Sequence, residues 1–557
     1  MTDDTESFHR LTPKESRLHA QRLRLVGILV LALVGGLLLL FDAFAPNQPV
    51  EYESARNHFF YGSIGADVSR GIPLKVLRVL PKMFPEHLPE GADTTSYSAF
   101  GFIQEPGKKL PIGFSVRRQF IDYAGLNCAV CHTGTVRKSK NAERQIIAGM
   151  PANTVDLLSY YRFLFETAAD KHFTSQNVLR AMEEQGIAEP LDGIIYPLVV
   201  PRMKEALLEQ RDRLEVFLEA DYPSWGPGRV NTFDPFKYDQ FNSYYEAHDR
   251  EITEKYGLVD NPSIWDQARR DSLWLHWDGN NCSAVERNFS AAIAAGAEPQ
   301  HMAVGSLLRV QAWLDTLSAP AYPYAIEATL AERGEAVFQT HCADCHSYEG
   351  DRIGTVIPIE EIGTDAHRMN SYTDVLLRAQ KHYTKDVPWQ FENFRTTDGY
   401  AARPLDGIWS RAPYLHNGSV PTMRDLLRPA DQRPDVFTRG SDVYNQEEMG
   451  FVHKELTPAP DSGYVEADGT PYSGTAFVYD TRRPGNSNRG HTGPAYGTTL
   501  SDQKKAALIE YLKYRDRPEK DRTDAGNGGG GYDGDEYEEY SYQDIYGERN
   551  CKPSAAP

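Results

Sequence analysis

The pentapeptides Cys128-Ala129-Val130-Cys131-His132 and Cys342-Ala343-Asp344-Cys345-His346 decide what this chain builds. Each spells C-x-x-C-H, in which two thiols can form thioethers to the vinyl groups of a c-type haem while the adjacent histidine binds the iron. His132 and His346 are therefore the expected proximal ligands of two covalently bound haems. The motifs use four of the six cysteines. Disulfides or zinc half-sites are the competing interpretation, but zinc needs further ligands at short spacing, and the sequence offers none nearby.

Length and charge limit the possible functions. The chain has 557 residues, of which 40% are hydrophobic and 25% charged, a composition typical of a folded protein with more than one domain. Its formal net charge is −19. Nucleic acid is not an expected partner, because neutralising phosphates requires clustered lysine and arginine. An acidic surface suits a positively charged protein.

The N-terminal region resembles a membrane segment. Residues 25–41 form an uninterrupted run of apolar residues and glycine, and four basic residues precede it: Lys14, Arg17, Arg22 and Arg24. A positive flank of this kind favours an uncleaved anchor over Leu25–Ala45, within a leader of residues 1–46. We then expect a single-pass protein of the bacterial inner membrane with its haem domains in the periplasm. A signal peptide cleaved after Ala45 is the alternative.

The two remaining cysteines, Cys282 and Cys551, are not expected to form a disulfide, although an oxidising compartment would permit one. Cys551 lies in a tail, residues 516–557, with four consecutive glycines at 528–531 and an acidic, tyrosine-rich stretch at 533–546. Such a composition cannot bury enough surface to fold. The sequence therefore predicts a disordered tail.

Two haem domains are expected between the leader and the tail, over residues 50–318 and 325–515, joined at the proline-rich stretch 319–323. In the second domain, apolar residues at helical spacing precede Cys342, and Ser501 can cap a terminal helix that ends near Arg515. In the first, helices are expected at 155–167, 175–185, 203–218 and 301–317. The predicted fold is mainly α with extensive loops, two cytochrome c-type haem domains and an N-terminal transmembrane helix.

Several loop motifs resemble those of exported dihaem c-type proteins related to the bacterial dihaem cytochrome c peroxidases, and most closely those of the rubber oxygenase-like branch. The motifs are YGSIG at 61–65, PIGFS at 111–115, GLN at 125–127, IGTD at 362–365, RPLDGIW at 403–409, APYLHNGSVP at 412–421 and GNSN at 485–488. The stretch around His416 is similar to the whole peroxidase superfamily, and the other motifs narrow the resemblance to the oxygenase-like branch.

The resemblance implies two haems with different tasks, one six-coordinate for electron transfer and one open to dioxygen or peroxide. It marks His491 as the sixth ligand of the C-terminal haem. The position of the ligating methionine in the peroxidases is Ala430 here. Met369 and Met423 are the other candidates, and each is also an ordinary core or surface residue.

For the N-terminal haem the resemblance implies an open distal face covered by residues 274–290. Phe289 is the implied pocket residue, with an ordinary core phenylalanine as the alternative. Trp274 or Trp277 is expected between the haems, where an aromatic ring shortens the electron-transfer gap.

His276 and Glu286 are the candidate acid and base groups, because peroxide cleavage requires one oxygen to lose a proton and the other to gain one. Each has a structural alternative. His276 is equally expected as a hydrogen-bonded core histidine, and Glu286 as the partner of an ion pair with Arg287.

Arg403, Arg411 and His416 belong to the loop that the superfamily shares. Their side chains can hydrogen-bond the haem propionates, whose charges are costly to bury unpaired. Carbonyl groups of this loop help to hold a calcium ion between the haems of some peroxidases. Arg411 stands where those proteins have a smaller residue, which argues against calcium here.

Three functions fit these expectations. The first is a haem oxidoreductase that activates dioxygen or peroxide at the N-terminal haem, and the second is a cytochrome c peroxidase. The third is a non-enzymatic electron carrier of a respiratory chain. Each calls for an electron donor or acceptor, such as a small cytochrome or a cupredoxin. Family resemblance does not establish the organic substrate, and rubber cleavage is not implied.

Overall fold

The computed structural model describes residues 13–44, 48–459, 463–516 and residue 551 of the chain. Helices dominate the regular structure of these residues. Their bounds are α1 Pro13–Phe44, α2 Ala55–Tyr61, α3 Ala66–Ser69, α4 Leu74–Met83, α5 Leu157–Ala169, α6 Ser175–Glu184, α7 Asp192–Arg213, α8 Asp234–Asp239, α9 Asn242–Ala247, α10 Gln267–Arg270, α11 Ala284–Ala294, α12 Val304–Thr316, α13 Ala328–His341, α14 Ala343–His346, α15 Ile359–Ile362, α16 His367–Ser371, α17 Asp374–Tyr383, α18 Met423–Leu426 and α19 Asp502–Tyr514.

The strands of the described residues are short, and they form one three-stranded sheet, ordered β1-β3-β2, and six antiparallel pairs. Their bounds are β1 Ile72–Pro73, β2 Phe114–Arg118, β3 Asp122–Leu126, β4 Thr133–Val136, β5 Gln145–Ala148, β6 Arg229–Asn231, β7 Leu258–Asp260, β8 Val356–Pro358, β9 Gly399–Ala401, β10 Val436–Arg439, β11 Tyr444–Asn445, β12 Gly450–Phe451, β13 Thr457–Pro458, β14 Tyr464–Val465 and β15 Phe477–Asp480. Most of these strand pairs join two loops over a short stretch. Strand β4 pairs with β5 directly after the first C-x-x-C-H motif. The long loops predicted from the sequence are thus fastened together by short ladders.

Helix α1 contains the N-terminal apolar run, but the predicted anchor is not supported. No helix in the described part of the chain is both long and apolar enough to cross a membrane. The predicted transmembrane helix over Leu25–Ala45 is therefore wrong, and so is the location in the inner membrane with periplasmic haem domains that was inferred from it.

Helices α13 and α19 cross at close range and form the frame of the second C-x-x-C-H motif. A Cβ atom on Gly334 would lie 2.0 Å from the carbonyl oxygen of Ala507, so only glycine permits this crossing. Next to it, the rings of Phe338 and Tyr511 are 5.2 Å apart. Both helices were predicted, and the backbone N–H of Lys504 donates to the Ser501 hydroxyl, as expected of an N-cap.

The helices predicted in the first half are confirmed with shifted ends. Three of them, α5, α6 and α12, begin and end within about three residues of the expected bounds. Helix α7 begins at Asp192, eleven residues before the predicted start at 203, because it continues through Pro197 and Pro201. A proline removes one backbone hydrogen bond, and here burial of Tyr196 and Val200 offsets that loss.

Core packing crosses the predicted boundary between the two halves. Phe289 of α11 lies in one buried cluster with Leu376 of α17 and with Trp389. A separate, larger cluster contains the inward faces of α4, α5, α6 and α7. The division at residues 319–323 stays a prediction, while the cores show that the second half contributes to the packing of the first.

A disulfide joins Cys282 to Cys551, with the two Cα atoms 5.7 Å apart, and this corrects the expectation that the pair would not form. Cys282 is fully buried, and both cysteines pack against Trp274 and Val356. No local pattern signals this bond, because the two cysteines are 269 residues apart in sequence. Apart from Asp516 and Cys551, the tail predicted to be disordered lies outside the described residues.

Candidate functional site

The first C-x-x-C-H motif is held rigidly by the residue before it. Asn127 accepts a hydrogen bond at Oδ1 from the N–H of Ala129, 3.0 Å away, and so caps the short 3₁₀ helix Cys128–Val130. Its side-chain amide donates to the carbonyl oxygens of Phe60 and Gly62 at 3.2 and 3.0 Å. Asn127 thereby joins the motif to the end of α2.

A cavity of about 310 Å³ opens beside this motif, and Cys128, Cys131 and His132 all line it. Most of its other lining side chains are apolar, and α5, α7 and α12 contribute some of them. The Nδ1 atom of His132 lies 2.9 Å from the carbonyl oxygen of Pro262. A hydrogen bond at Nδ1 fixes the tautomer that leaves Nε2 available to a metal. The thiols, the oriented imidazole and the apolar walls fit a covalently attached haem.

His276 is the predicted acid–base residue that the structure places at the cavity. Its Nδ1 lies 2.5 Å from Oδ1 of Asn280, which leaves Nε2 as the free nitrogen. Burial, together with the positive charges of Arg368 and Arg287, holds the pKa of His276 well below its usual range. The imidazole is therefore neutral at ordinary pH, and the same surroundings make it a weak base.

Glu286 and Phe289 do not line the cavity. The Glu286 carboxylate accepts hydrogen bonds from the side chain of Asn281 and from the backbone of Glu392 and Asn393, at 3.0 to 3.3 Å. It forms no ion pair with Arg287 in the described structure, contrary to expectation. Phe289 packs in the core with its ring 5.1 Å from that of Trp389. These placements favour structural roles, and the predicted catalytic roles stay predictions.

The second C-x-x-C-H motif follows α13 directly and forms the short helix α14. The Nδ1 atom of His346 lies 2.7 Å from the carbonyl oxygen of Arg403, so this imidazole is oriented in the same way as His132. The ring of His491 faces it, with the two ring centres 6.3 Å apart. Two imidazoles that share one metal ion at bond lengths of about 2 Å have their ring centres about 6 Å apart. This spacing fits an iron with two histidine ligands.

The loop that carries His491 is fixed by Arg433, which sequence analysis did not single out. The Arg433 guanidinium donates to the carbonyl oxygens of Asn488, Gly490 and His491, at 2.6 to 3.1 Å. The Nδ1 atom of His491 is buried and has no hydrogen-bond partner within the described residues. Burial lowers the pKa of His491 to about 3, with smaller contributions from His346 and Arg433, so the ring is neutral, as a ligand must be.

Four arginines lie near the two motifs: Arg270 and Arg287 are buried, and Arg403 and Arg411 are partly buried. Burial and repulsion from Arg270 lower the pKa of Arg411 to about 9 and that of Arg287 to about 10, and Arg403 is affected more strongly still. Asp406 pairs with Arg270 at 3.0 Å. The buried atoms Nε of Arg270, Nη1 of Arg403 and Nε of Arg411 have no partner in the described chain. Unpaired buried cations require anions, and haem propionates would supply them.

Three aromatic residues were predicted near the haems, and the structure places them in different surroundings. They are Trp277, Trp274 and His416. Trp277 lines the cavity, and the Arg403 guanidinium lies 4.7 Å from the centre of its ring. Trp274 lies outside the cavity lining and packs beside the disulfide. His416 stacks on Tyr400, with ring centres 4.3 Å apart, and is not part of the arginine cluster. Arg411 donates to the carbonyl oxygens of Pro404 and Asp406, so two oxygens of that loop already face a cation.

The fold and these two sites fit a haem protein of the cytochrome c type. Residues 399–438 match the sequence profile of a family described as "RoxA-like, cytochrome c-like", and the matched stretch contains Arg403, Arg411 and His416. The match supports a cytochrome c family related to the rubber oxygenase branch and a covalently bound haem c. Membership in the dihaem peroxidase superfamily stays a prediction.

Two proteins of Sinorhizobium fredii are similar to the chain. The protein y4iM is 34% identical over an alignment that covers 46% of this chain and 65% of its own length, so the chain spans slightly less than two thirds of this relative. The protein y4iJ is 25% identical, with 74% of this chain and 83% of its own length covered. Both are described as uncharacterised, so their names assign no activity.

Proposed function

We propose that this chain is a dihaem c-type oxidoreductase that activates dioxygen or peroxide at the haem of His132 and relays electrons through the haem of His346 and His491. The proposal rests on a difference between the surroundings of the two proximal histidines. His346 is faced by a second imidazole at 6.3 Å, whereas His132 lines a cavity of about 310 Å³. A closed site suits electron transfer, because the ligands need not reorganise, and an open one suits chemistry.

At the open site a bound haem would supply a redox-active iron with room for a small oxygen-containing ligand. Residues of the chain would provide proton transfer, charge stabilisation and exclusion of water. The neutral His276 offers Nε2 as a proton acceptor, with its ring held by the bond from Nδ1 to Asn280. Negative charge that develops on a bound ligand would offset the arginines that make this imidazole a weak base. Arg287 lines the same cavity and favours negative charge that develops within it. The apolar side chains around them exclude water.

Electrons need a route between the two sites, and Arg403 and Trp277 form one. The Arg403 carbonyl is bonded to His346, and the Arg403 guanidinium stacks on Trp277, which lines the other cavity. Trp277 in turn donates from Nε1 to the carbonyl oxygen of Asp260 at 2.8 Å, which fixes its ring. The route thus consists of rigid groups in contact.

The electron partner that we propose is a positively charged small cytochrome or cupredoxin. Cys342 and Cys345 are only half-buried, and three exposed carboxylates lie within six residues of Cys345: Asp344, Glu349 and Asp351. Opposite charges speed the encounter of redox proteins, and salt screens that attraction. The rate of reduction by a basic cytochrome should therefore fall as ionic strength rises.

Carbon monoxide binding to the dithionite-reduced, haem-loaded protein tests the central claim. We expect haem analysis to give two haems per chain and carbon monoxide to bind one of them. His491→Ala should open the second haem, while the matched control His301→Ala, an exposed histidine outside both sites, should change nothing. No carbon monoxide binding in the wild type would contradict the enzyme proposal and favour the electron carrier. Binding at both haems would contradict ligation by His491.

Turnover then separates the two enzyme classes. Peroxide reduction with a reduced cytochrome c as donor, at a rate well above that of free haem, would favour the cytochrome c peroxidase alternative. In either class, His276→Gln should slow turnover while carbon monoxide binding is kept, because the substitution removes the proton acceptor and leaves the iron accessible. Unchanged turnover would exclude His276 from the chemistry.

A further inference from the structure

A cluster of metal-binding side chains lies away from both haem sites, at the end of α5. Glu86 and His87 belong to the short 3₁₀ helix Pro85–His87, and Asp170 is the C-cap of α5. Each offers one ligand atom, and the three atoms lie within 4.8 Å of one another. None of the three residues lines the haem cavity.

The spacing inside this cluster is that of metal ligands. The Nε2 atom of His87 lies 3.4 Å from Oδ2 of Asp170, yet Nε2 is buried and makes no hydrogen bond among the described residues. Two ligands bonded to a tetrahedral zinc ion at about 2.0–2.1 Å are about 3.4 Å apart. The pair therefore has the separation that a shared ion requires, and without an ion it forms a salt bridge when His87 is protonated.

Neighbouring groups hold the candidate ligands in place. Oδ1 of Asp170 accepts from the backbone N–H of His172 at 2.7 Å and lies 2.9 Å from its Nδ1, so Oδ2 is the oxygen left for an ion. The His87 ring stacks on Phe84, with ring centres 6.0 Å apart. Hydrogen bonds and ring contacts from neighbouring residues orient the ligands of established metal sites in the same way.

Charge supports the same assignment. Glu166 adds a third carboxylate, with Oε2 3.7 Å from Nδ1 of His87. The nearest lysine contact is Lys204, whose Nζ donates to the backbone oxygen of Asp170 rather than to its carboxylate. Three carboxylates around one imidazole give the cluster a net negative charge, which attracts a divalent cation.

We propose that Glu86, His87 and Asp170 bind one zinc ion, with water completing the coordination. An imidazole ligand favours zinc over calcium or magnesium, which prefer oxygen ligands alone. Because Glu86 and His87 follow α4 while Asp170 ends α5, the ion would join two segments of the largest core. The proposal does not depend on the function of the haems.

Zinc content after dialysis against zinc chloride and gel filtration tests the proposal. The protein must be haem-loaded, since empty C-x-x-C-H motifs would themselves bind zinc. We expect the wild type and the control His301→Gln, an exposed histidine 3.5 Å from Glu298, to retain one zinc ion more than His87→Gln or Glu86→Gln. Zinc should also raise the unfolding temperature of the first two proteins only.

Equal zinc content in all four proteins, or none in any, would overturn the proposal. Stabilisation by calcium chloride but not by zinc chloride would overturn the choice of metal. Glu86 is exposed, so Glu86→Gln keeps the test valid even if His87→Gln misfolds, and far-ultraviolet circular dichroism verifies the fold of each variant.

Discussion

Replacing Gly334 by alanine should destabilise the domain that carries the second haem motif. An alanine in the middle of an exposed helix is normally more stable than glycine by about 0.5–1 kcal/mol. Here the added Cβ would lie 2.0 Å from the Ala507 carbonyl oxygen and 2.8 Å from Cβ of Tyr511. Neither atom belongs to the flexible end of a side chain, so α13 and α19 must separate.

The size of the effect follows from that separation. Ordinary contact distances begin near 3.4 Å, so the helices must move apart by more than about 1 Å at a crossing where Leu508 and Phe338 are buried. Overpacking of this kind costs about 1–3 kcal/mol, and the propensity gain offsets at most about 1 kcal/mol of it. We expect a net loss of about 2 kcal/mol.

Guanidinium unfolding followed by far-ultraviolet circular dichroism measures the effect on the haem-loaded protein. The matched control is Gly305→Ala in α12, where a Cβ would meet nothing within 4 Å and should leave the midpoint unchanged or raise it slightly. Because α13 leads into Cys342, the absorption of the C-terminal haem should also shift in Gly334→Ala. A midpoint for Gly334→Ala equal to or above that of the wild type would refute the reasoning.

Three further substitutions test other parts of the structure. Trp277→Leu should slow electron transfer between the haems, measured by flash photolysis of the carbon monoxide complex, while Trp313→Leu, outside the cavity lining, should not; equal rates would exclude the Trp277 route. Asn127→Ala removes the donor to the Gly62 carbonyl, one of two donors to the Phe60 carbonyl and the cap on Ala129. It should lower the unfolding free energy by about 2 kcal/mol, whereas an unchanged midpoint would contradict the role of Asn127 in holding the motif. The double variant Cys282→Ser/Cys551→Ser should lose about 2–5 kcal/mol, and a chain as stable as the oxidised wild type would show that the disulfide contributes nothing.

Local patterns predicted the parts of the site that depend on local structure. The two C-x-x-C-H motifs, the helix before Cys342 and the cap at Ser501 each lie within a few residues of sequence, and the structure contains the corresponding elements. His491 came from family resemblance, since nothing local distinguishes a loop histidine. Its partner His346 is 145 residues away, and only the folded chain brings the two rings to 6.3 Å.

The orientation of α11 was open to prediction but was missed. Arg287, Ala291 and Ala294 line the cavity, at positions i, i+4 and i+7 of one helix face. Val285, Phe289 and Ile293 occupy the opposite face and enter the core. A helical pattern with its larger apolar residues on one side already indicated that Phe289 and Arg287 lie on opposite faces of the helix.

The arginine cluster links the two haem sites energetically. Arg270, Arg287, Arg403 and Arg411 are mutually repulsive, and Asp406 compensates only part of their charge. Arg287 and Arg403 contact the surroundings of the first site, through the cavity and through Trp277, whereas the Arg403 backbone holds His346 of the second. The propionates of either haem would therefore lower the free-energy cost of burying the arginines that neighbour both sites. If both motifs hold a haem, a cluster placed in this way would make the stability of each site depend on whether the other is filled.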